Sequence, residues 1–209
     1  MIKATSKRAE ISRDELVRVA RRAFQRHGYA GAGTNEIVEK AKLTRGALYY
    51  HFKDKRDLLR AVVAQIAEEI VVEIEARAMA ATDPWTGLEA GCRAFLEVCS
   101  RPEIRGIYLI DAPAHLGWAE WRRIDAESGM GSLERGLAAC LGLHGPVDRK
   151  RLRALTHLIA GALNEAALAI AEAPRPEAAL DDLSRGVKWL LDAIRAATEA
   201  EREAADRRA

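Results

Sequence analysis

The sequence predicts an all-α protein, and three observations carry that prediction. Alanine, leucine, glutamate and arginine are abundant, and all lose little side-chain freedom in a helix. Apolar residues recur at helical spacing, while alternating β-branched runs are scarce. Glycine and proline fall between the periodic stretches, where they end helices and start others.

The elements follow in order. Ser12-Arg13-Asp14-Glu15 reads as a capping box, a serine followed three positions on by a glutamate. Leu16, Ala20, Ala23 and Phe24 continue at helical spacing until Gly28, where the chain needs positive φ to stop. Thr34 is expected to cap a short second helix with Ile37, Val38 and Ala41 facing inward. Lys42-Leu43-Thr44 forms the next turn, and Thr44 caps a third helix from Arg45 to Phe52. Asp54 caps a fourth, from Lys55 to about Ala80, carrying Leu58, Leu59, Val62, Val63, Ile66 and Ile70. Asp83-Pro84 opens a fifth, ending near Ser100. Ser100-Arg101-Pro102-Glu103 reads as a second capping box, starting a short helix through Tyr108 that Pro113 interrupts. Residues 116–128 and 132–143 read as helices separated by Gly129 and Gly131, and Gly145-Pro146 closes that section. A long helix from about Asp148 to Ala173 follows. Pro174 and Pro176 divide it from a last helix, about Glu177 to Ala197, beyond which the charged tail is expected to fray.

Charge is unevenly spread. Net charge over 209 residues is +2, but residues 1–60 hold 15 Lys+Arg against 7 Asp+Glu, leaving the remainder at −6. A basic segment of this size suits a polyanion, or else a solvated face. Hydrophobic residues reach 49%, enough for a sizeable core. Three cysteines, Cys92, Cys99 and Cys140, without a CxxC pair, read as reduced core residues of an intracellular protein. No apolar run approaches the roughly 20 residues of a membrane span, and the N-terminus lacks a signal-peptide core. The expectation is a cytoplasmic protein with no membrane association.

Two short helices joined by a three-residue turn have the size of a helix-turn-helix, whose second helix enters the DNA major groove. Within residues 45–52, Leu48 and Phe52 share the buried side. Arg45, Tyr49, Tyr50 and His51 occupy the rest of the circumference. Gly46 and Ala47 are small enough for close approach to base edges. Thr44 and Lys55 sit at helix N-termini, where hydroxyls, free N–H groups and an ammonium can hold phosphates.

The stretch from Thr34 to Leu58, TNEIVEKAKLTRGALYYHFKDKRDL, resembles the signature of the tetracycline-repressor (TetR) family of bacterial transcription regulators. Thr34, Ile37, Ala41, Gly46, Leu48, Tyr49, His51, Phe52, Lys55 and Leu58 carry the match. The firm resemblance covers roughly residues 10–65. It implies an N-terminal three-helix DNA-binding domain over 1–55, a larger helical effector-binding and dimerisation domain over 56–199, and a charged tail over 200–209. It further implies that Thr34, Thr44, Tyr50, His51 and Lys55 hold phosphates, while Arg45, Gly46, Ala47 and Tyr49 lie along base edges. Arg45 would pair bidentately with a guanine. Tyr49 could instead pack within the motif, and His51 could cap a neighbouring helix. Where the family most often has a turn glycine this chain has Lys42, at a cost of about 1 kcal/mol if left-handed.

The C-terminal part supplies the remaining expectations. Leu180, Leu183, Val187, Leu190, Leu191 and Ile194 form an apolar stripe on the last helix. Ala160-Gly161-Ala162 and Ala166-Ala167 allow close approach on the helix before it. Two helices from each subunit could build a four-helix homodimer interface, with Gly161, Leu183, Val187, Leu190 and Ile194 in it, as in the family; an intramolecular seam is the alternative. The resemblance also implies a largely apolar small-molecule effector. Tyr108, Asp111, His115, Trp118, Trp121 and Asn164 are the candidate contacts. No HExxH, GxGxxG, Walker loop or GxSxG is present. The expectation is therefore no enzyme, no cofactor and no metal. The expected function is a ligand-responsive repressor bound as a dimer to a palindromic double-stranded DNA operator. The alternatives are an activator of the same family or a helical protein-interaction module.

Overall fold

The computed structural model describes residues 2–142 and 148–207, with side chains from Ser12 onward. No strand occurs among the described residues. The helices are α1 (Ile2–Gly31), α2 (Thr34–Lys40), α3 (Arg45–His51), α4 (Lys55–Met79), α5 (Pro84–Ser100), α6 (Pro102–Arg105), α7 (Ala112–Leu116), α8 (Trp118–Asp125), α9 (Gly131–Gly142), α10 (Arg149–Glu172) and α11 (Pro176–Asp206). Gly106–Asp111 and Ala126–Met130 are π-helical. The Gly145-Pro146 break lies outside the described residues.

Several local signals act as read. Thr44 Oγ1 accepts from the Ala47 N–H at 3.1 Å. Asp54 accepts from Asp57 N at 2.7 Å, Asp83 from Trp85 N and Thr86 N, and Asp148 from Lys150 N at 2.9 Å. Gly28, at φ 66°, breaks the helical dihedrals inside α1. Other signals are overridden. α1 starts at Ile2, so Ser12 lies inside a helix and opens nothing. Gly33, without a side-chain bond, is the cap of α2, and Thr34 is its first residue. Ser100 ends α5, and its hydroxyl donates back to Glu97 O at 2.8 Å. Pro113 does not interrupt the chain: it sits in the first turn of α7, where its missing N–H is not needed, after a π-helical turn. The tail expected to fray stays helical to Asp206.

The chain divides into two compact units: Met1–Ala67 with Pro102–Ile124, and Glu68–Arg101 with Asp125–Ala209. The division differs from the expected boundary at residue 55. α4 lends its first half to one unit and its second half to the other, and Pro102–Ile124 joins the N-terminal helices. In the first unit Leu16, Phe24, Ile37, Leu48, Leu58 and Ile66 are fully buried. The Tyr29 N–H donates to Asp111 Oδ2 at 2.8 Å, and the Tyr29 ring packs 4.3 Å from that of His115. Arg56 donates to the carbonyls of His115 and Leu116 at 3.0 and 2.7 Å.

In the second unit α5 is the central helix, with ten of its seventeen residues buried. Gly87 and Gly91 let it approach α4 closely: a Cβ at Gly87 would stand 2.9 Å from the Ala78 carbonyl oxygen. α10 is long and apolar enough to cross a membrane by length and composition, contrary to the sequence expectation. It packs on α5, α9 and α11, burying Leu152, Ile159, Leu163, Ala167 and Ile170. Cys92, Cys99 and Cys140 are free and buried. Burial raises all three thiols, Cys92 and Cys140 to about 12.

Candidate nucleic-acid interface and effector cavity

The turn before α3 is built on Lys42, whose φ of 55° makes it the one non-glycine residue in the left-handed region among those described. The Lys42 and Leu43 N–H groups donate to Glu39 O and Val38 O at 3.0 and 2.9 Å, which closes α2. The chain then enters α3 through the Thr44 cap. Leu48 is buried and Phe52 follows as the C-terminal cap, so this side of α3 is fixed against the core. The opposite side is open. Tyr49 is 49% and Tyr50 79% exposed, and Thr44, Arg45 and Gly46 are exposed with them. Ala47 and Thr34 are half-buried. His51 is half-buried, its ring edge-on to Tyr50 at 4.9 Å.

Exposed cations surround this face. Arg45, Lys42 on its N-terminal side and Lys53 on its C-terminal side have no side-chain partner among the described residues. Lys55 is engaged within the fold. Its ammonium lies 4.5 Å from the Tyr29 ring centroid and donates to Ala30 O at 3.4 Å. Partial burial lowers its pKa, opposed by the Asp111 carboxylate. It therefore already has a cation–π partner within the fold. Lys53 and Tyr29 were not singled out from sequence. Lys53 was findable as a cation directly after the α3 cap, whereas nothing local marks Tyr29.

The second unit carries a half-open cavity of about 420 Å³. Leu88, Phe95, Leu133 and Leu163 supply apolar wall, with Gly87 and Gly91 of α5. Its polar wall includes Asp125 and Asn164, both buried. Asn164 Nδ2 donates to Asp125 Oδ2 at 2.9 Å, and Asn164 Oδ1 has no partner among the described residues.

Of the six residues expected around an effector, Asn164 alone lines this cavity; the other five belong to the first unit. Tyr108 and Trp121 are buried there, rings 6.0 Å apart, and act as core. Asp111 accepts from Tyr29 N and His115 packs on that ring, while Trp118 is 55% exposed. Tyrosine and tryptophan are as well suited to a core as to a pocket, and composition does not separate the two. No metal-binding cluster is present among the described residues.

A family model described as the tetracyclin repressor-like C-terminal domain matches residues 85–194, and one described as bacterial regulatory proteins, tetR family, matches residues 16–62. A solved TetR-family transcriptional regulator from Pectobacterium atrosepticum is 37% identical, covering 88% of this chain and 94% of that one, with a TM-score of 0.74. The chain belongs to the TetR family. Among curated TetR relatives, the regulator AcrR of Shigella flexneri is 36% identical over 75 residues, and LmrA of Bacillus subtilis 38% over 80. Those matches span 36% and 38% of this chain but only 34% and 43% of the relatives. At 20% identity the fold also matches that of RolR, solved with resorcinol, with a TM-score of 0.70.

The TetR dimer residues expected on α10 and α11 divide by depth. Gly161 and Leu190 are exposed, Leu183 and Ile194 half-buried, and Val187 buried within its own unit. Val187 and Leu191 thus pack mainly within their own unit. Leu158 and Trp189, each 70% exposed, were not singled out. Trp189 neighbours Leu190 in sequence and lies one turn before the exposed Ala193, a signal available once two apolar sides are sought on one helix.

Proposed function

We propose that this TetR-family chain is a transcriptional repressor that binds a palindromic operator as a homodimer and is released by a small molecule. The observation that carries the reading is the open side of α3. It presents Arg45, Tyr49 and Tyr50 to solvent between two lysines that have no side-chain partner among the described residues, while Leu48 and Phe52 hold the helix from behind. Such a face suits a major groove: Arg45, Gly46, Ala47 and Tyr49 along base edges, Thr34, Thr44, Tyr50 and His51 toward phosphates. Lys55 joins the phosphate set by leaving the Tyr29 ring. Lys42 and Lys53 extend the set on either side.

Two-fold pairing through Leu158, Gly161, Trp189 and Leu190 would give two recognition helices for two half-sites. The cavity of the second unit is the effector site, lined mainly by apolar residues and by Asn164. α4 belongs to both units, so an effector that prefers one α4 position shifts DNA affinity, and DNA shifts effector affinity reciprocally. The chain works in the cytoplasm by binding and carries out no catalytic step.

Selection of duplexes from a random pool by the purified full chain, followed by titration of the selected duplex at rising salt, tests this reading. A palindromic consensus and a log-affinity slope of about −0.9 per phosphate contact are expected. Recovery of no enriched sequence, with no duplex binding at low salt, refutes it.

A further inference from the structure

We infer that the cavity of the second unit selects molecules that donate a hydrogen bond at its Asn164–Asp125 wall, and rejects molecules that end in an anion there. The inference rests on the effector reading of that cavity and adds the chemical class of the ligand.

Asn164 lies on α10 among Ala160, Leu163, Ala166 and Ala167, with 4% of its surface exposed. Its Nδ2 bond to Asp125 fixes the amide, since a carboxylate oxygen accepts and the amide NH2 must be the donor. Oδ1 is therefore the other end of the group, buried and without a partner among the described residues. A buried carbonyl oxygen left unpaired is costly; Oδ1 is closed to water in this structure, so a ligand N–H or O–H reaches it through a small shift of the cavity wall and removes that cost. The neighbouring Asp125 carboxylate is an acceptor as well.

The rest of the wall supports the same class. No lysine, arginine or histidine lines the cavity among the described residues, and two aspartates do. Asp83 is engaged as the cap of α5, where bonds to Thr86 and Trp85 hold its carboxyl below the usual range. A carboxylate or phosphate on the ligand would meet acceptors and apolar carbon, with no cation to offset its desolvation. At about 30 Å³ per water-sized group, 420 Å³ holds roughly fourteen such groups, the size of a molecule with one or two rings.

Four probes of one shape test the inference on the full chain by calorimetric titration: 2-naphthol, 2-naphthylmethylamine, naphthalene and 2-naphthoate. Expected are binding of 2-naphthol, none of 2-naphthoate, and loss of about tenfold in the naphthol-over-naphthalene preference in Asn164→Leu. Tighter binding of the amine than of the naphthol supports a cationic donor beside Asp125, and the reverse order a neutral one. Equal binding of 2-naphthoate and 2-naphthol, or a preference unchanged in Asn164→Leu, overturns the donor inference while leaving the cavity as an effector site. The naphthol–naphthoate comparison uses the native chain and stands even where the variant does not fold. Failure of all four probes, naphthalene included, takes the effector reading and this inference down together.

Discussion

Lys42→Gly should make the protein more stable and a weaker DNA binder at once. A side chain in the left-handed region costs about 1–2 kcal/mol, and Lys42 stands there at φ 55°. Glycine removes that cost but adds about 0.5–1 kcal/mol of chain entropy in the unfolded state. The net gain is about 0.5–1 kcal/mol, a rise of roughly 1–4 °C in Tm for a chain of this size. The same change deletes an exposed ammonium beside α3. If each Lys42 of a dimer neutralises one phosphate, the slope of log affinity against log salt should flatten by about 1.8. The loss should be equal on operator and random duplexes, since a phosphate contact reads no sequence. Thermal unfolding and fluorescence anisotropy on both duplexes between low and moderate salt give the two readouts. Lys42→Asn separates them, because asparagine tolerates positive φ yet carries no charge. A lower Tm for the glycine variant would show that the turn is unstrained. An unchanged salt slope would place Lys42 away from the DNA backbone.

Arg45→Ala should cost about 1–3 kcal/mol on the selected operator and much less on random duplex, checked by the same titrations; equal losses on both would remove its base-reading role. Leu190→Asp should yield folded monomers by sedimentation with operator binding lost, because Leu190 is 42% exposed and a charge there leaves the unit's own core intact. Val187→Asp should instead unfold the chain, since Val187 is buried. Acid should weaken the first unit through Glu120, which Arg60 and Arg56 hold by hydrogen bonds, the former keeping its carboxyl below the usual 4.5. A depressed native pKa gives stability that is present above the unfolded value and lost as pH falls through the native one. Urea unfolding between pH 6 and 3 should therefore show a shallower decline in Glu120→Gln than in the native chain.

The sequence by itself determined the helices, most of their caps and the face of α3 that meets solvent. These are local properties: Thr44 reaches the N–H three residues on, and Leu48 and Phe52 share a side, whatever the rest of the chain does. Local signals failed where a longer-range arrangement outweighed them. Ser12 could not open a helix that had already begun at Ile2, and Pro113 was absorbed by a π-helical turn before it. Lys55 stands at a helix N-terminus that is legible in the sequence, but its contact with Tyr29, 26 positions earlier, is a tertiary one. Only the tertiary structure decided which aromatic residues were core and which polar residue met a cavity. Tyr108 and Trp121 went to the first unit because Pro102–Ile124 packs with α1, a pairing across some 80 residues that no periodicity encodes. Asn164 was visible as a polar residue in an apolar helix, but its partner Asp125 lies 39 positions away. On α11 the apolar residues cover two sides, and adjacent positions point about 100° apart. Whether Val187 or Leu190 faces the chain's own core was settled by where α5 and α10 lie against that helix.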